Sequence, residues 1–327
     1  MRHLRPFFLF ALAALLAASC DPHQFPTEGE GGDFTVRLRF HYDLPVHRTI
    51  EIQTKAKAEA RPRARYTVQL YRYVGEYDYT VAPVFGLSFT SEEISDLDTT
   101  LCLPVAPERY KLLAWTDYVD EAGKPYWDAS DFDGISLSSD YRGGAVARDA
   151  FRGGGTLDLS GLKAAGLTRE LTVEMRRPVA RVRFLIPDAL TWLSAKGLAV
   201  SDLRASLSWS DALPDVYDVF GDRFSGRLGG AGFTVEPYLD DEGFLVLCMD
   251  HVLTGPDGLT AVAAFRLATA GGQDLGSWTG GVPLLRGNRT DILLRPSVTP
   301  PPGPDDTDTG GGIGIDPTFT SEIEITI

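Results

Sequence analysis

The sequence of 327 residues contains few of the residue types that most often perform chemistry. It has three cysteines and five histidines, and no histidine has a second histidine or a cysteine at metal-ligand spacing. It also lacks the His-Glu-x-x-His, Gly-x-Ser-x-Gly and glycine-rich phosphate-loop patterns of metalloproteases, serine hydrolases and nucleotide-binding enzymes. We therefore expect no catalytic residues, no cofactor and no enzymatic activity.

One acidic segment comes close to a metal motif. Residues 128–134 partly resemble a calcium-binding loop, with Asp131 and Asp133 before Gly134. When the loop is aligned on Gly134, however, Ala129 occupies the position of the first carboxylate ligand. The segment therefore predicts a solvated turn and no bound metal.

The start of the chain has the features of an export signal. The apolar run over residues 7–18 follows two arginines and is too short to span a bilayer, which needs about 20 apolar residues. The run ends in Leu16-Ala-Ala-Ser-Cys20, which resembles the lipobox of bacterial lipoproteins. In those proteins the signal is cut before the cysteine, which then receives lipid. We predict a lipoprotein signal peptide over residues 1–19 and lipidation of Cys20; the alternative is an ordinary signal peptide with a chance cysteine.

Polar residues follow the predicted lipidation site. Residues 20–33 are rich in proline, glycine and glutamate and predict an extended tether between the membrane and the folded part. Cleavage of the signal removes two arginines and takes the net charge from −14 to −16. This charge argues against nucleic acid and anionic headgroups as partners.

Two cysteines remain beyond the tether. Cys102 and Cys248 each lie in an apolar, strand-like run, which favours buried free thiols. A disulfide between them is the alternative in an oxidising compartment.

A basic cluster precedes one of the strand-like runs. Lys55, Lys57, Arg61, Arg63 and Arg65 lie within eleven residues. The cluster predicts a solvated loop, or one that is sensitive to proteases because basic loop tips are preferred cleavage sites.

Alternation of apolar and polar residues is the dominant pattern from Phe34 onward. Short runs of period two, separated by Gly, Pro, Asp and Ser clusters, predict an all-β sandwich or barrel. Helical periodicity is rare. The best helix covers residues 188–196, with Asp188 as its N-terminal cap and Gly197 as its stop.

The alternating region is long for one sandwich and typical of two. Pro178 gives the best boundary because proline interrupts strand pairing. We predict an N-terminal β-sandwich over residues 34–177 and a C-terminal β-sandwich over residues 178–295. We expect Trp115 and Trp209 to lie in their respective cores.

Several aromatic residues lie in a polar, glycine-rich segment of the N-terminal half. They are candidate ligand-facing residues that stack on sugar rings, or else they cover one end of the sandwich. These residues are Tyr118, Tyr126, Trp127 and Tyr141.

The end of the chain combines a linker with a strand-like tail. Residues 296–312 form a Pro/Gly/Asp linker. Residues 313–327 return to strict alternation, which predicts strands interrupted at Pro317. Because the tail is too apolar to remain in water, we predict an assembly strand that docks either on its own C-terminal sandwich or on a neighbouring subunit. The assigned residues are Ile313, Ile315, Phe319, Ile323, Ile325 and Ile327.

Five stretches carry structural signatures of moderate specificity, and none is a catalytic motif. They are residues 110–119, 126–131, 147–153, 177–184 and 286–290. In this order they resemble the anchor and tip type of fimbrial lipoproteins in the fimbrillin superfamily of Bacteroidales-type bacteria. The resemblance implies two transthyretin-like β-sandwich domains, a lipid anchor and assembly by strand exchange. It implies other fimbrial subunits, and host or bacterial surface ligands, as partners.

The resemblance also bears on location. Asp21, Glu28 and Glu30 resemble the surface-export signals of this bacterial group, so we expect a lipid-anchored protein of the outer membrane that faces outward. Exported subunits of the superfamily are trimmed at an arginine and anchor subunits are not, which leaves open an anchor, a tip or a polymerising subunit. The alternative is a surface glycan-binding lipoprotein of a polysaccharide uptake system, which the four aromatic residues would serve.

Overall fold

The computed structural model describes residues 32–42, 62–137, 141, 143–162, 168–294 and 322–326. Most regular structure in these residues is strand, and the predicted all-β fold is confirmed. The N-terminal half contains β1 (Gly32–Tyr42), β2 (Arg63–Arg72), β3 (Phe85–Ser91), β4 (Leu97–Val105), β5 (Arg109–Val119), β6 (Trp127–Asp128), β7 (Ile135–Leu137), β8 (Phe151–Asp158) and β9 (Thr168–Met175). The C-terminal half contains β10 (Val179–Ile186), β11 (Leu203–Trp209), β12 (Val216–Asp218), β13 (Arg223–Ser225), β14 (Gly232–Val235), β15 (Tyr238–Leu239), β16 (Leu245–Leu253), β17 (Leu259–Thr269), β18 (Asp274–Leu284), β19 (Arg289–Leu293) and β20 (Glu322–Thr326).

Two sheets surround the core of the N-terminal half, with strand orders β4-β1-β9 and β3-β2-β5-β8. The alternation of β1 decides which face is buried: Phe34, Val36 and Leu38 lie in the core, whereas Arg37 and Arg39 lie on the outer face. β1 pairs antiparallel with β4 and parallel with β9.

The C-terminal half repeats this plan. Its core lies between sheets with strand orders β15-β16-β10-β19-β20 and β14-β11-β17-β18. Its first strand, β10, pairs in parallel with β19, as β1 does with β9. Trp209 lies in this core, as expected.

A helix follows β10 at the predicted place. Helix α1 (Ala189–Lys196) buries Trp192 and Leu193 against the C-terminal core. It ends at Gly197, whose φ of 63° is a left-handed conformation that glycine adopts at little cost. Asp188 precedes the helix but makes no side-chain capping hydrogen bond, contrary to expectation.

A fifth sheet and a third core join the two sandwiches. The sheet has strand order β13-β12-β7-β6, and β7 of the N-terminal half pairs with β12 of the C-terminal half. The third core contains residues of both halves, including Trp115, which packs edge-on against Trp127 with ring centroids 6.1 Å apart. The prediction that Trp115 lies in the N-terminal sandwich core is therefore wrong. Trp115 belongs to the opposite face of β5, and the joining strands cover it.

The two described cysteines differ in exposure. Both are free thiols; Cys248 is buried on β16 and Cys102 is exposed on β4. Burial raises the pKa of the Cys248 thiol. The prediction of a buried thiol is confirmed for Cys248 and is wrong for Cys102, because β4 is an edge strand and Cys102 takes one of its outward positions. Cys20 lies outside the described residues.

Part of the basic cluster belongs to a strand rather than to the predicted loop. Arg63 and Arg65 lie in β2, and Arg65 Nε donates to Asp117 Oδ1 at 2.8 Å. Arg65 also donates to the main-chain oxygen of Trp127 at 2.7 Å. This contact makes Arg65 a structural residue. Lys55, Lys57 and Arg61 lie outside the described residues.

Candidate functional site

The C-terminal strand β20 lies at the edge of the C-terminal sandwich and pairs antiparallel with β19. The register places Ile323 opposite Ile292 and Ile325 opposite Thr290. Cross-strand partners share one face of a sheet, so the register pairs these two isoleucine positions with Thr290 and Ile292, both of which are buried. Four further residues assigned to the assembly strand lie outside the described residues, namely Ile313, Ile315, Phe319 and Ile327.

Contacts with the C-terminal sandwich hold β19 in place. Ile292 is fully buried in the C-terminal core, and Thr290 Oγ1 donates to the main-chain oxygen of Pro283 at 2.8 Å. Asp291 accepts a hydrogen bond from Arg183 Nε at 2.8 Å. Burial opposes the charge of Arg183, but Asp291 outweighs it and raises the pKa of the guanidinium. β19 is thus held by the core and by hydrogen bonds, and β20 pairs with its outer edge. This pairing satisfies main-chain groups that an open edge would expose.

Asp250 connects the two halves of the molecule. Its carboxylate accepts hydrogen bonds from Arg148 Nη1 at 2.6 Å, from Trp209 Nε1 at 3.0 Å and from the Tyr141 hydroxyl. Arg148 and Tyr141 belong to the N-terminal half, whereas Trp209 belongs to the C-terminal core. Burial opposes the charge of Arg148, but Tyr141 and Asp250 outweigh it and raise its pKa. The contact is a buried, charge-balanced link between the sandwiches.

Asp222 forms a second link. Its carboxylate contacts Arg286 Nη1 at 2.6 Å and Arg152 Nη1 at 3.3 Å, and it accepts a hydrogen bond from the Tyr217 hydroxyl. Arg152 comes from β8, and the other partners come from the C-terminal half. Arg286 Nε also donates to the main-chain oxygen of Arg177 at 3.1 Å. Burial opposes ionisation of Asp222, but its hydrogen bonds from Tyr217 and Arg286 outweigh it and lower the pKa.

His251 follows Asp250 in β16. Its ring is fully buried, and burial lowers its pKa to about 3, although Asp149 acts in the opposite direction. Asp149 is itself engaged by Arg177, whose Nε lies 2.9 Å from Oδ1. His251 is therefore neutral in the folded protein near neutral pH.

The four candidate ligand-facing aromatic residues do not form an exposed platform. Tyr118 and Trp127 are fully buried, and Trp127 Nε1 donates to the main-chain oxygen of Arg148 at 3.1 Å. Tyr126 is half-buried between two cores, and the hydroxyl of Tyr141 is bound to Asp250. The prediction that these residues stack on sugar rings is wrong for Tyr118 and Trp127, since the joining segment and the N-terminal core cover their rings. The hydroxyl of Tyr141 serves the link to Asp250, and the Arg148 guanidinium lies 4.4 Å from the centre of its ring.

The acidic segment after β6 is a turn closed by its own side chains. Asp128 Oδ1 accepts from Ser130 N at 3.1 Å, and Asp131 Oδ1 accepts from Asp133 N at 2.9 Å. Across the described residues, no group of three or more His, Cys, Asp or Glu side chains is arranged to hold a metal ion. No helix in the described part of the chain combines the length and the hydropathy of a membrane-spanning segment.

Sequence patterns do not single out the residues that link the two halves. A signal for Asp250 was present, because it interrupts Leu245–Leu253, a strand in which every residue is buried. No local pattern marks Asp222, whose partners Arg152 and Arg286 are far away in the sequence. The signatures at residues 147–153, 177–184 and 286–290 do meet at this junction, because they supply Arg148, Asp149, Arg152, Arg177 and Arg286.

Several solved structures show a remote likeness to this chain. The fimbrial anchor protein from Porphyromonas gingivalis is 10% identical, with a TM-score of 0.42, and the match covers 80% of this chain and 91% of that one. A fimbrial assembly protein from Parabacteroides distasonis is 12% identical, with a TM-score of 0.39 and coverages of 82% and 93%. The C-terminally truncated tip fimbrial protein from Porphyromonas gingivalis is 10% identical, with a TM-score of 0.41 and coverages of 82% and 96%. No curated protein matches the chain.

A family model matches nearly the whole sequence. The match runs from residue 28 to residue 327 and so includes both sandwiches and the C-terminal strand. The chain therefore belongs to DUF6562, a family of unknown function.

Proposed function

We propose that the protein is a lipid-anchored subunit of a cell-surface fimbrium, in an anchor or an accessory or tip position, that assembles by β-strand addition. The observation that carries the proposal is the pairing of β20 with the edge of β19. The same edge, with the same register, suits a strand of equal pattern that a neighbouring subunit supplies.

Other features support this assignment. The pattern that ends at Cys20, followed by an acidic tether, suits a lipid anchor on the outer face of the outer membrane. Five stretches that resemble signatures of the fimbrillin superfamily occur in order along the chain. A junction closed by a shared sheet and by Asp250 and Asp222 suits a part that transmits force between a membrane and a filament.

Supplying the strand separately tests the acceptor edge. We expect deletion of residues 310–327 to lower the melting temperature of the purified chain, because the edge of β19 is opened. A peptide of residues 313–327 should bind the shortened chain and restore its melting temperature. A peptide carrying Ile323→Asp and Ile325→Asp is the matched control and should do neither. Equal effects of the two peptides, or a deletion without effect, would count against strand addition.

Cell fractionation tests the anchor. We expect the wild-type chain to stay with the membranes after a carbonate wash and Cys20→Ala to be released, because only the cysteine offers the thiol for the lipid. Ser19→Thr, which keeps the cysteine, is the control and should remain bound. Retention of the Cys20→Ala chain would overturn the lipid anchor and leave the acceptor edge to be judged by the peptide experiment.

A further inference from the structure

A cleft of about 660 Å³ lies on the C-terminal half, away from the β19 edge. It is bounded by the turn after β11, by β13 and by the start of β17. Its volume falls within the range of about 300–1,000 Å³ that is usual for small-molecule sites. Neither the strand acceptor nor the links between the halves use it.

One wall of the cleft is aromatic. Phe224 is 37% exposed, so a large part of its ring is open to solvent. The ring lies close to Gly255, where an added Cβ would be 2.8 Å from Phe224 Cε1. The glycine therefore lets the ring lie against the main chain, and Leu259 and Ala261 extend the apolar surface.

Polar side chains that can form hydrogen bonds with a ligand line the rest of the cleft. Asp211 Oδ2 accepts from Val262 N at 2.7 Å, which fixes the carboxylate, while its Oδ1 has no hydrogen-bond donor among the described residues. Arg227 likewise lines the cleft without an ion pair in the described part of the chain. Ser225 and Thr260 add hydroxyl groups.

A buried acceptor stands directly behind the wall. Asp215 Oδ1 is shielded from solvent and has no hydrogen-bond partner within the described residues. An added Cβ at Gly226, which lines the cleft at φ 68°, would lie 2.1 Å from that oxygen. Gly226 therefore lets the main chain of the cleft wall pass close to Asp215, whose unsatisfied oxygen lies behind that wall.

We propose that this cleft binds a neutral saccharide. A sugar ring presents C–H groups on one face, which suit Phe224, and hydroxyls around its edge, which suit a fixed carboxylate and a guanidinium. The net charge of −14 disfavours polyanionic glycans as ligands. The protein would then contact a surface glycan through its C-terminal half, independently of how it is anchored or assembled.

Affinity electrophoresis of the purified full chain tests this site. The probes are yeast mannan, dextran, galactomannan and xyloglucan cast into native gels, with chondroitin sulfate as the polyanion. We expect at least one neutral polysaccharide to slow migration, and Phe224→Ala and Asp211→Asn each to weaken that effect tenfold or more. The amide oxygen introduced by Asp211→Asn can still accept from Val262 N, so this variant should fold, and thermal melts of both variants check that they do.

Tyr77→Ala is the matched control, because Tyr77 is an exposed aromatic residue on the loop between β2 and β3, outside the cleft. It should leave migration unchanged. Failure of all four neutral polysaccharides to slow the wild-type chain would overturn the proposal. Retardation that folded Phe224→Ala and Asp211→Asn leave intact would also overturn it, as would retardation by chondroitin sulfate alone that Arg227→Ala removes.

Discussion

At the residue scale, the carboxylate of Asp250 is removed from water and balanced by Arg148. Asp250→Ala leaves Arg148 buried without its counter-charge, a loss that costs about 3–5 kcal/mol in comparable pairs. We expect the free energy of unfolding, measured by urea denaturation, to fall by about that amount. Asp98→Ala is the control, since Asp98 and Arg37 form an exposed pair that should matter little. Similar losses in the two variants would contradict the role of Asp250.

His251 gives the protein a sensitivity to acid. Its pKa is 6.5 in the unfolded chain and about 3 in the folded one, so the unfolded chain binds the proton first. The stability that neutral His251 contributes to the folded state is therefore fully present above pH 6.5. As the pH falls below 6.5, the free energy of unfolding decreases by at most about 1.4 kcal/mol per pH unit. We expect His251→Gln, which does not titrate, to lose stability less steeply between about pH 6.5 and pH 4.5 in urea titrations. Parallel pH profiles for the two proteins would show that His251 has no such role.

At the scale of elements, alternation predicts a strand well when one face meets the core and the other meets water. β1 and β11 have this pattern, and the sequence indicated both. β5 and β16 are buried on both faces, so the pattern does not tell which residue faces which core. For this reason alternation alone predicts the wrong core for Trp115 and does not show that Tyr118 is buried. The joining sheet could not be predicted, since β7 and β12 are short and far apart in the sequence.

The register of β20 distinguishes its two faces. Ile323 lies opposite the core residue Ile292, whereas Glu324 lies opposite Asp291. We expect Ile323→Ala to destabilise the C-terminal half by about 2 kcal/mol or more, because its cross-strand partner Ile292 is buried in the core and truncation of a large aliphatic residue packed against a core typically costs this much. Glu324→Gln should not destabilise the protein, because it keeps the length of the side chain and removes a negative charge opposite Asp291. Equal effects in urea denaturation would mean that the strand does not adopt this register.

At the scale of the whole molecule, the third core contains residues of both sandwiches, so we expect the two to unfold together. Trp115 contacts Trp127 of the N-terminal half and Tyr217 of the C-terminal half. Trp115→Ala removes a fully buried ring, which typically costs about 3–5 kcal/mol. We expect one cooperative transition by calorimetry in the wild type, shifted as a whole by both Trp115→Ala and Trp209→Ala.

The control for this prediction is Leu190→Ala on the exposed face of α1, which should leave the transition in place. Two separate transitions, each sensitive to only one of the tryptophan variants, would instead indicate two independent cores.

The acceptor edge of β19 is the centre of the proposed assembly, and a designed disulfide tests it directly. Arg289 and Thr326 are cross-strand partners, and such partners are close enough for a disulfide. In a Cys102→Ser background, which removes the exposed thiol, we expect Arg289→Cys with Thr326→Cys to form a disulfide on cells under mild oxidation. Arg289→Cys with Ile325→Cys is one residue out of register and should remain reduced. Non-reducing gels in which both pairs form the disulfide equally, or neither does, would contradict the pairing of the C-terminal strand with β19, on which the proposed strand addition rests.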